Sequence, residues 1–432
     1  MNPQPISRRS ILRATAFAAA SLLAPIASSQ VRATAKDGAV DIAIDGDYWR
    51  AIAADFDLDT RYANLENGFW GVMSRPVLER YVEHTEMVNR ANSYYARRAY
   101  YDDYPKIVAR VADALGAQPD EIALTRNATE ALQNLIENYR GLQQGAAVMY
   151  ADLDYDAMQR TMDWVAKRAA GKVIRLEIPE PVAHDELVEF YVNALQKHPD
   201  VRLLLLTHIS HRTGLLVPVR EITERARALD VDVIVDAAHS WGQLDFQVDT
   251  LGADFVGFNL HKWIGAPLGV GAMYIKRQRL GDMALNPGAY AEERTEITGR
   301  VHTGTVNFAA QLSAPDALDY HEYVGRQNKE ARLRYLRDYW VAAARGIRKL
   351  DILTPDDSRM HGGITSFRFQ NVTDVPGNKA IVERLLKDHG VLTVHRAGVA
   401  KGACVRVTPA IYNSTADCDR LVKGLQALAQ SI

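Results

Sequence analysis

Two apolar stretches that end in chemically active side chains decide the fold: Val233-Ile-Val-Asp236-Ala-Ala-His239 and Phe255-Val-Gly-Phe-Asn259-Leu-His261-Lys262-Trp263. Each begins as a short, continuous apolar run, which is typical of a strand that is buried on both faces of a sheet. The first run ends in the carboxylate of Asp236, and the second leads into the amine of Lys262. Because ligands of open α/β sheets bind beyond the carboxyl ends of the strands, the two side chains are predicted to share one site.

The chain around these two runs alternates between strand and helix patterns. Between residues 119 and 275, short apolar runs are separated by segments with apolar residues at i, i+3 and i+4. This predicts an α/β fold, with a large domain whose mostly parallel sheet is covered by helices. From about residue 350 the two patterns mix, which predicts a smaller α+β domain. The further predicted strands are 146–150, 172–176, 201–207, 269–275, 363–369 and 404–407, and the predicted helices are 129–136, 156–169, 219–229, 309–323, 328–345, 379–389 and 416–429.

Four segments are predicted along the chain. They are a twin-arginine signal peptide at 1–35, an N-terminal segment at 36–75, a large cofactor-binding domain at 76–335 and a small C-terminal domain at 336–432. The 432 residues are 47% apolar and 24% charged, as in ordinary globular proteins. A net charge of −2 gives no indication of a nucleic-acid partner.

The first segment resembles a twin-arginine export signal. Ser7-Arg8-Arg9-Ser10-Ile11-Leu12-Arg13 has Ile11 and Arg13 where Phe and Lys are common. The apolar run that follows, 14–27, is shorter than the roughly 20 apolar residues that span a bilayer. We therefore expect the Tat export machinery to deliver a folded protein to the bacterial periplasm, without stable membrane association.

Asp236 and Lys262 together indicate the chemistry of pyridoxal 5′-phosphate (PLP). A lysine amine bonds to the aldehyde of this cofactor, and an acid pairs with the ring nitrogen so that the ring can accept electrons. The two cysteines, Cys404 and Cys418, form no disulfide framework and show no metal-ligand spacing, so no metal is predicted. The sequence therefore predicts a PLP enzyme that acts on amino acids or amines.

The chain resembles the class V aminotransferase-like PLP enzymes of fold type I, a group that includes cysteine desulfurases and isopenicillin N epimerases. The resemblance runs from Asn64-Leu-Glu-Asn-Gly-Phe-Trp70 to Arg406-Val-Thr-Pro-Ala-Ile-Tyr-Asn413 and includes the turn His261-Lys262-Trp-Ile-Gly265. Within the group it is most similar to the isopenicillin N epimerase-like branch. That branch also contains an exported PLP enzyme of pyoverdine siderophore tailoring, which shares a twin-arginine leader.

The resemblance implies a role for each residue around the cofactor ring. Lys262 would carry PLP covalently and shuttle a proton at the substrate Cα once substrate displaces it. Asp236 would pair with the ring nitrogen, and Tyr155 would stack on the ring. His239 and His211 would face the phenolic oxygen of the cofactor.

A second set of residues is implied around the phosphate. The segment 126–131 resembles the phosphate turn of the family, and it opens a helix whose free N–H groups suit an anion. The segment 303–307 resembles the loop that reaches the phosphate of a neighbouring subunit through Thr305, which implies a homodimer. The phosphate ligands implied within one subunit are Ala128, Thr129, Asn259 and His261.

The substrate is expected to be an amino acid or a peptide that bears one. Arg406 matches the arginine that grips the substrate carboxylate, and its planar fork suits a bidentate carboxylate. Asn67 would line the entrance to the site. Arg212 and the pair His395-Arg396 are further candidates for a second substrate carboxylate.

Transamination or a related conversion at the α-carbon is the favoured reaction. Epimerisation or racemisation, as in isopenicillin N epimerase, and C–S or other β-elimination remain alternatives. A desulfurase thiol would belong on a loop well before Arg406, whereas Cys404 lies on the predicted strand itself and residues 391–403 contain no cysteine. The non-enzyme alternative, an inactive periplasmic binding protein, is disfavoured by the joint presence of Lys262, Asp236, Thr129 and Arg406.

Overall fold

The computed structural model describes residues 38–302 and 304–431. The predicted signal peptide, residues 1–35, lies outside the described residues. The helices are α1 (Ala39–Ile44), α2 (Gly46–Ala53), α3 (Arg75–Arg97), α4 (Tyr100–Leu115), α5 (Ala128–Asn138), α6 (Asp156–Arg168), α7 (His184–Lys197), α8 (Val219–Arg227), α9 (Phe308–Val324), α10 (Arg326–Ala344), α11 (Val375–His389) and α12 (Thr415–Ser431). Short 3₁₀ helices cover Pro119–Glu121, Val248–Leu251, Arg277–Asp282, Ala291–Thr295, Ile297–Arg300 and Ser358–Met360.

The strands form a large sheet, a small sheet and a separate parallel pair. The large sheet has the order β2-β8-β7-β6-β5-β3-β4, the small sheet has the order β12-β13-β10-β9, and β1 pairs with β11. The strands are β1 (Ala63–Asn64), β2 (Ile122–Thr125), β3 (Ala147–Ala151), β4 (Val173–Leu176), β5 (Val201–Thr207), β6 (Asp232–Asp236), β7 (Phe255–Asn259), β8 (Gly271–Ile275), β9 (Leu350–Ile352), β10 (Thr365–Phe369), β11 (Val391–Leu392), β12 (Val394–Arg396) and β13 (Cys404–Val407).

The large sheet confirms the predicted α/β architecture. Strands β4, β3, β5, β6 and β7 run parallel, and β8 pairs in the antiparallel sense with both β7 and the edge strand β2. The register aligns Thr207 with Asp236 and Asp236 with Gly257. The carboxyl ends of β5, β6 and β7 therefore lie side by side.

Helix α5 packs directly on this part of the sheet. Its buried face, which includes Leu132 and Leu135, belongs to the same apolar core as Val148 and Leu203 of the strands. A Cβ atom at Gly257 would lie 2.7 Å from Cγ of Leu132, so only glycine permits this approach. The close contact brings the first turn of α5 to the edge of the sheet where β6 and β7 end.

The small sheet is antiparallel and has its own apolar core. Phe367 and Phe369 of β10 pack with Trp340 of α10 and with residues of α11 and α12. The predicted domain boundary at residues 335 and 336 falls within α10, and the division into domains stays a prediction. Among the described residues, no helix combines the length and the apolar character needed to cross a membrane.

Candidate active site

A cavity of about 620 Å³ opens where β5, β6 and β7 end. All of the side chains predicted to bind the cofactor line it, so strands, turns and one helix that are distant in sequence meet there. They are Ala128, Thr129, Tyr155, His211, Asp236, His239, Asn259, His261, Lys262 and Thr305.

The amine of Lys262 faces the imidazole of His239. Nζ of Lys262 lies 3.0 Å from Nε2 of His239, and the indole N–H of Trp263 donates to Nδ1 of the same ring at 3.4 Å. Because an indole N–H is only a donor, it leaves the ring proton on Nε2, which then donates to the lysine. Such a bond needs a neutral amine as acceptor.

Electrostatics favour the same neutral amine. Burial lowers the pKa of Lys262 to about 8, although the carboxylate of Asp236 opposes the shift. Burial also lowers the pKa of His239 well below its ordinary value, and the charge of Lys262 adds to the effect. Lys262 is therefore available as a nucleophile close to neutral pH.

Asp236 supplies the acid of the site at the end of β6. Its carboxylate is buried and accepts a hydrogen bond from the backbone N–H of Ala238 at 2.9 Å. Burial raises the pKa of Asp236, while that N–H and the charge of Lys262 lower it. A cationic partner facing the carboxylate would offset the cost of keeping it ionised.

A second buried carboxylate, Asp154, escaped the sequence analysis. It accepts hydrogen bonds at 2.7 Å from the backbone N–H of Ala151 and from the hydroxyl of Thr207, which lines the cavity. Burial raises the pKa of Asp154 to about 7, and the nearby charge of Asp236 contributes. Only its position directly before Tyr155 indicated that Asp154 could belong to the site, and no spacing rule predicts a carboxylate at that position.

The first turn of α5 presents a donor to the cavity. The N–H of Ala128 donates to Oδ1 of Asn259 at 2.7 Å, and the N–H of Glu130 donates to the Asn127 side chain at 2.8 Å. The N–H of Thr129 has no acceptor among the described residues. An open amide and hydroxyl at the start of an 11-residue helix suit an anion such as a phosphate.

Tyr155 and His211 form one side of the cavity. Their rings meet edge to face, with centroids 5.2 Å apart and an interplanar angle of 89°. Burial lowers the pKa of His211 to about 3, so its imidazole is neutral at ordinary pH. Tyr155 keeps 37% of its surface exposed, which leaves the ring accessible to a ligand.

The sequence profile of the aminotransferase class-V family matches residues 73–421. This chain belongs to that family. The isopenicillin N epimerase of Amycolatopsis lactamdurans is 26% identical over 411 residues, which cover 88% of this chain and 99% of the relative. The cysteine desulfurase of Haloferax volcanii is 25% identical over 379 residues, which cover 81% of this chain and 84% of the relative.

Solved structures of a cysteine desulfurase and of a cystine C–S lyase have the same fold. The apo cysteine desulfurase from Thermococcus onnurineus NA1 superposes with a TM-score of 0.75 at 19% identity, covering 88% of this chain and 98% of that one. A complex between the cystine C–S lyase C-DES and its product cysteine persulfide superposes with a TM-score of 0.74 at 20% identity, covering 85% and 98%. The predicted fold type I architecture is confirmed.

The protein is thus a PLP-dependent class V enzyme, and its cavity fits the cofactor. The amine of Lys262 suits the aldehyde, the carboxylate of Asp236 suits the ring nitrogen, and the open amide of Thr129 suits the phosphate. PLP supplies an electron sink for charge that develops at the substrate α-carbon. The individual residue roles stay predictions.

The two predicted substrate residues of this class V enzyme do not line the cavity as the structure describes it. Arg406 lies on β13 and is fully buried, with Nη2 held by both oxygens of Glu66 at 2.7 and 2.9 Å. Its Nη1 donates to the carbonyl of His211 at 2.8 Å. Arg406 is thus paired with an internal carboxylate that was not predicted from the sequence, and its predicted role in binding a substrate carboxylate stays a prediction.

Asn67 also makes hydrogen bonds within the chain, and its predicted place at the entrance to the site stays a prediction. Its side-chain amide donates to the carbonyl of Thr408 at 2.9 Å and to that of Asn64 at 3.0 Å, and it accepts from the hydroxyl of Tyr412. The side chain is buried and lines a second, smaller cavity, and Lys262 lines both cavities. A buried amide must be hydrogen-bonded, and Asn67 meets this need by linking the backbone at Asn64 to the backbone at Thr408.

Thr305 lines the cavity of its own chain, together with Val306 and Asn307. The predicted reach of Thr305 into a neighbouring subunit, and the homodimer that it implies, stay predictions.

Proposed function

We propose that the enzyme catalyses transamination, or a closely related conversion, at the α-carbon of an amino acid or of a peptide that bears one. The observation that supports this best is that the basic side chains of the cavity differ widely in pKa. Burial lowers the pKa of His211 to about 3 and of His261 to about 4, so both are weak bases. Lys262, with a pKa of about 8, is the stronger candidate for moving a proton near neutral pH.

One strong base favours a reaction in which the proton leaves and returns on one face. Nζ of Lys262 would accept the proton from the substrate Cα and deliver it to a neighbouring carbon on the same side. His239 would hold the amine in place through Nε2, at the 3.0 Å distance seen here. Asp236 would stay ionised and stabilise positive charge at the ring nitrogen, which PLP needs in order to accept electrons.

Epimerisation is the second candidate, and the likeness to isopenicillin N epimerases supports it. It would require a proton to return to the opposite face of the same carbon. Sulfur transfer has less support. Burial raises the pKa of Cys404 to about 11 and of Cys418 to about 12, so neither thiol is a ready thiolate at neutral pH.

A single-turnover experiment separates these reactions. Purified holoenzyme is mixed with a panel of L-amino acids and amino-acid-capped peptides, and cofactor absorbance, product mass and product chirality are followed. Transamination converts the cofactor to its amine form and releases a keto acid. A substrate that inverts while the lysine-bound cofactor absorbance returns would establish epimerisation and refute the proposal. Loss of a β-substituent would establish elimination and refute it equally.

Export is proposed from the sequence alone, because residues 1–37 lie outside the described part of the chain. We infer that Arg8 and Arg9 direct a folded, cofactor-loaded protein to the periplasm through the Tat machinery. Replacing both by Lys should retain the protein in the cytoplasm in a cell-fractionation assay. Unchanged export of that variant would contradict the proposal.

A homodimer is proposed as the working unit, with Thr305 acting across the subunit interface. Sedimentation of the holoenzyme should give twice the mass of one chain. Its cofactor affinity should fall on dilution into monomers, and a monomer that retains PLP with full affinity would contradict the proposal.

A further inference from the structure

The smaller cavity that Asn67 lines also reaches the turn that carries Lys262. Its volume is about 40 Å³, and Lys262 and Trp263 line it together with Lys329 of α10 and His321 of α9. Lys329 is 7% exposed and His321 is 4% exposed. A second lysine and an imidazole, neither of which has been given a role so far, are therefore buried beside the turn that carries the reactive amine.

The amine of Lys329 holds the main chain of this turn. Nζ of Lys329 donates to the carbonyl of Trp263. Among the described residues, no backbone N–H donates to that carbonyl, so the amine supplies its hydrogen bond. On the other side of Lys262, the carbonyl of His261 accepts from the N–H of Gly71 at 2.9 Å. The carbonyls that flank Lys262 are thus both anchored, one by the backbone and one by the side chain of Lys329.

Burying a lysine at this position is costly, and the cost shows what its amine contributes. No carboxylate of the described chain supports the charge of Lys329, and burial lowers its pKa to about 7. Burial also lowers the pKa of His321 well below its ordinary value, and the charge of Lys329 adds to the effect. The ring of His321 is therefore neutral, and its Nδ1, 3.4 Å from Nζ, can accept a second hydrogen bond from the amine. An apolar side chain of similar length would fill the space without the desolvation cost, so the lysine contributes these hydrogen bonds.

Trp263 connects this anchor to the reactive amine. Its indole N–H donates to Nδ1 of His239 at 3.4 Å, and Nε2 of His239 lies 3.0 Å from Nζ of Lys262. We propose that Lys329 is a positioning residue, which acts on the cofactor lysine through the main chain of Trp263. Holding that carbonyl keeps the indole on His239, and His239 in turn keeps the amine of Lys262 in place. The inference rests on the predicted role of Lys262 in carrying PLP, but not on the reaction that follows.

The test measures how fast apo-enzyme incorporates PLP at different pH values, from the rise of the lysine-bound cofactor absorbance. Lys329→Met keeps the length of the side chain and removes the donor. Incorporation at neutral pH should slow by about two- to fivefold, and the rate profile should move to higher pH. The reason is that a loosely held indole favours the neutral, attacking amine of Lys262 less. In a Trp263→Phe background, which already lacks the indole N–H, the same change should move the profile no further.

Arg337→Met is the matched control, because it also removes a buried cation of α10 that binds a carbonyl. Arg337 donates to the hydroxyl of Thr354 at 2.9 Å and to the carbonyl of Pro355 at 3.3 Å, and none of these residues lines either cavity. Both Met variants should unfold at lower urea concentration than the wild type. Only Lys329→Met should change the pH profile of PLP incorporation.

A Lys329→Met profile that coincides with that of the wild type, with a loss of stability alone, would give Lys329 a purely structural role and overturn the inference. An equally large shift in the Trp263→Phe background would overturn it too, because the effect would not pass through Trp263. If Lys329→Met fails to fold, Lys329→Leu, which is shorter and also lacks a donor, replaces it under the same criteria. Retained cofactor colour in Lys262→Ala would instead overturn the predicted role of Lys262, on which the inference rests.

Discussion

The cofactor side of the cavity and the arginine-rich layer beside it, of which only Arg396 lines the cavity, use charge in opposite ways. The cofactor wall, which comprises Thr129, Asp236, His239, Asn259 and Lys262, keeps an amine and an amide donor open to a ligand. The arginine wall, which comprises Glu66, Arg212, Arg396 and Arg406, consists of charges that mostly neutralise one another. Reactivity is thus concentrated on the cofactor wall, whereas the arginine wall is an ion-pair network in which Glu66 lies within 4 Å of both Arg406 and Arg396.

The difference follows from where the side chains originate. Residues of the cofactor wall come mainly from the ends of parallel strands and from the first turn of α5, where backbone donors lack partners. Residues of the arginine wall come from the small sheet and from loops that it covers. A buried arginine there must have an acceptor or a counter-ion, because an unpaired buried charge is costly.

The largest effect should come from removing the reactive group of the cofactor wall. Lys262→Ala deletes the amine that binds the cofactor and moves the proton. The protein should lose its covalently bound yellow colour, and the single-turnover rate should fall on the order of 10³-fold. Lys276→Ala, a lysine outside the cavity that pairs with Asp254, is the control and should behave as wild type. Retained colour in the Lys262 variant would assign the cofactor to another amine.

The arginine wall should respond in stability rather than in chemistry. Arg212→Met removes the buried Nη1 that donates to the carbonyls of Asp152 and Gly398, and the unpaired acceptors should cost about 2–3 kcal/mol in the free energy of unfolding. Arg220→Met, whose ion pair with Glu224 is exposed, should cost less than about 1 kcal/mol. Urea unfolding measures both. Equal losses of unfolding free energy in the two variants would mean that the buried hydrogen bonds of Arg212 stabilise the protein no more than an exposed ion pair does.

A smaller effect should appear in the pH dependence of stability through Asp154. Its folded-state pKa is about 7, above the ordinary value of 3.8, so the native state binds the proton more tightly than the unfolded chain. Stability should therefore fall as the pH rises between these values and stay low above them. Asp154→Asn removes the titration and can still bond to Thr207, so it should reduce this fall, by on the order of 2 kcal/mol.

Urea unfolding of the wild type and the Asp154→Asn variant near pH 5 and near pH 8 checks the sign. The difference in stability between the two proteins should favour the variant more at the higher pH. A difference that does not depend on pH would show that Asp154 is ionised throughout.

The cofactor wall could be predicted because its signals are local. A buried strand that ends in Asp236, and a second that leads into Lys262, place both side chains by topology alone. The strands 201–207 and 404–407 were predicted with the observed bounds. The pairing of Glu66 with Arg406 joins residues 340 positions apart in the chain and has no periodic signal. The burial of Asn67 likewise depends on Thr408 and Tyr412, which only the tertiary fold supplies.

The smallest effect should come from releasing the His239 tautomer that the indole of Trp263 fixes in the cofactor wall. Trp263→Phe keeps the buried ring and removes the N–H that donates to Nδ1 of His239. The proton can then move between the two ring nitrogens, and the bond from Nε2 that favours the neutral amine of Lys262 is weakened. A loss of about 1 kcal/mol should raise the pKa of Lys262 from about 8 by somewhat less than one unit.

The rate at which apo-enzyme incorporates PLP, measured against pH, reports that shift, because only the neutral amine attacks the aldehyde. The rate profile of Trp263→Phe should move to higher pH, with up to about fivefold slower incorporation at neutral pH. Trp164→Phe changes an exposed indole on α6 and should leave the profile unchanged. Coincident profiles for wild type and Trp263→Phe would mean that His239 holds its proton without the indole. The reactivity of Lys262 would then depend on burial alone.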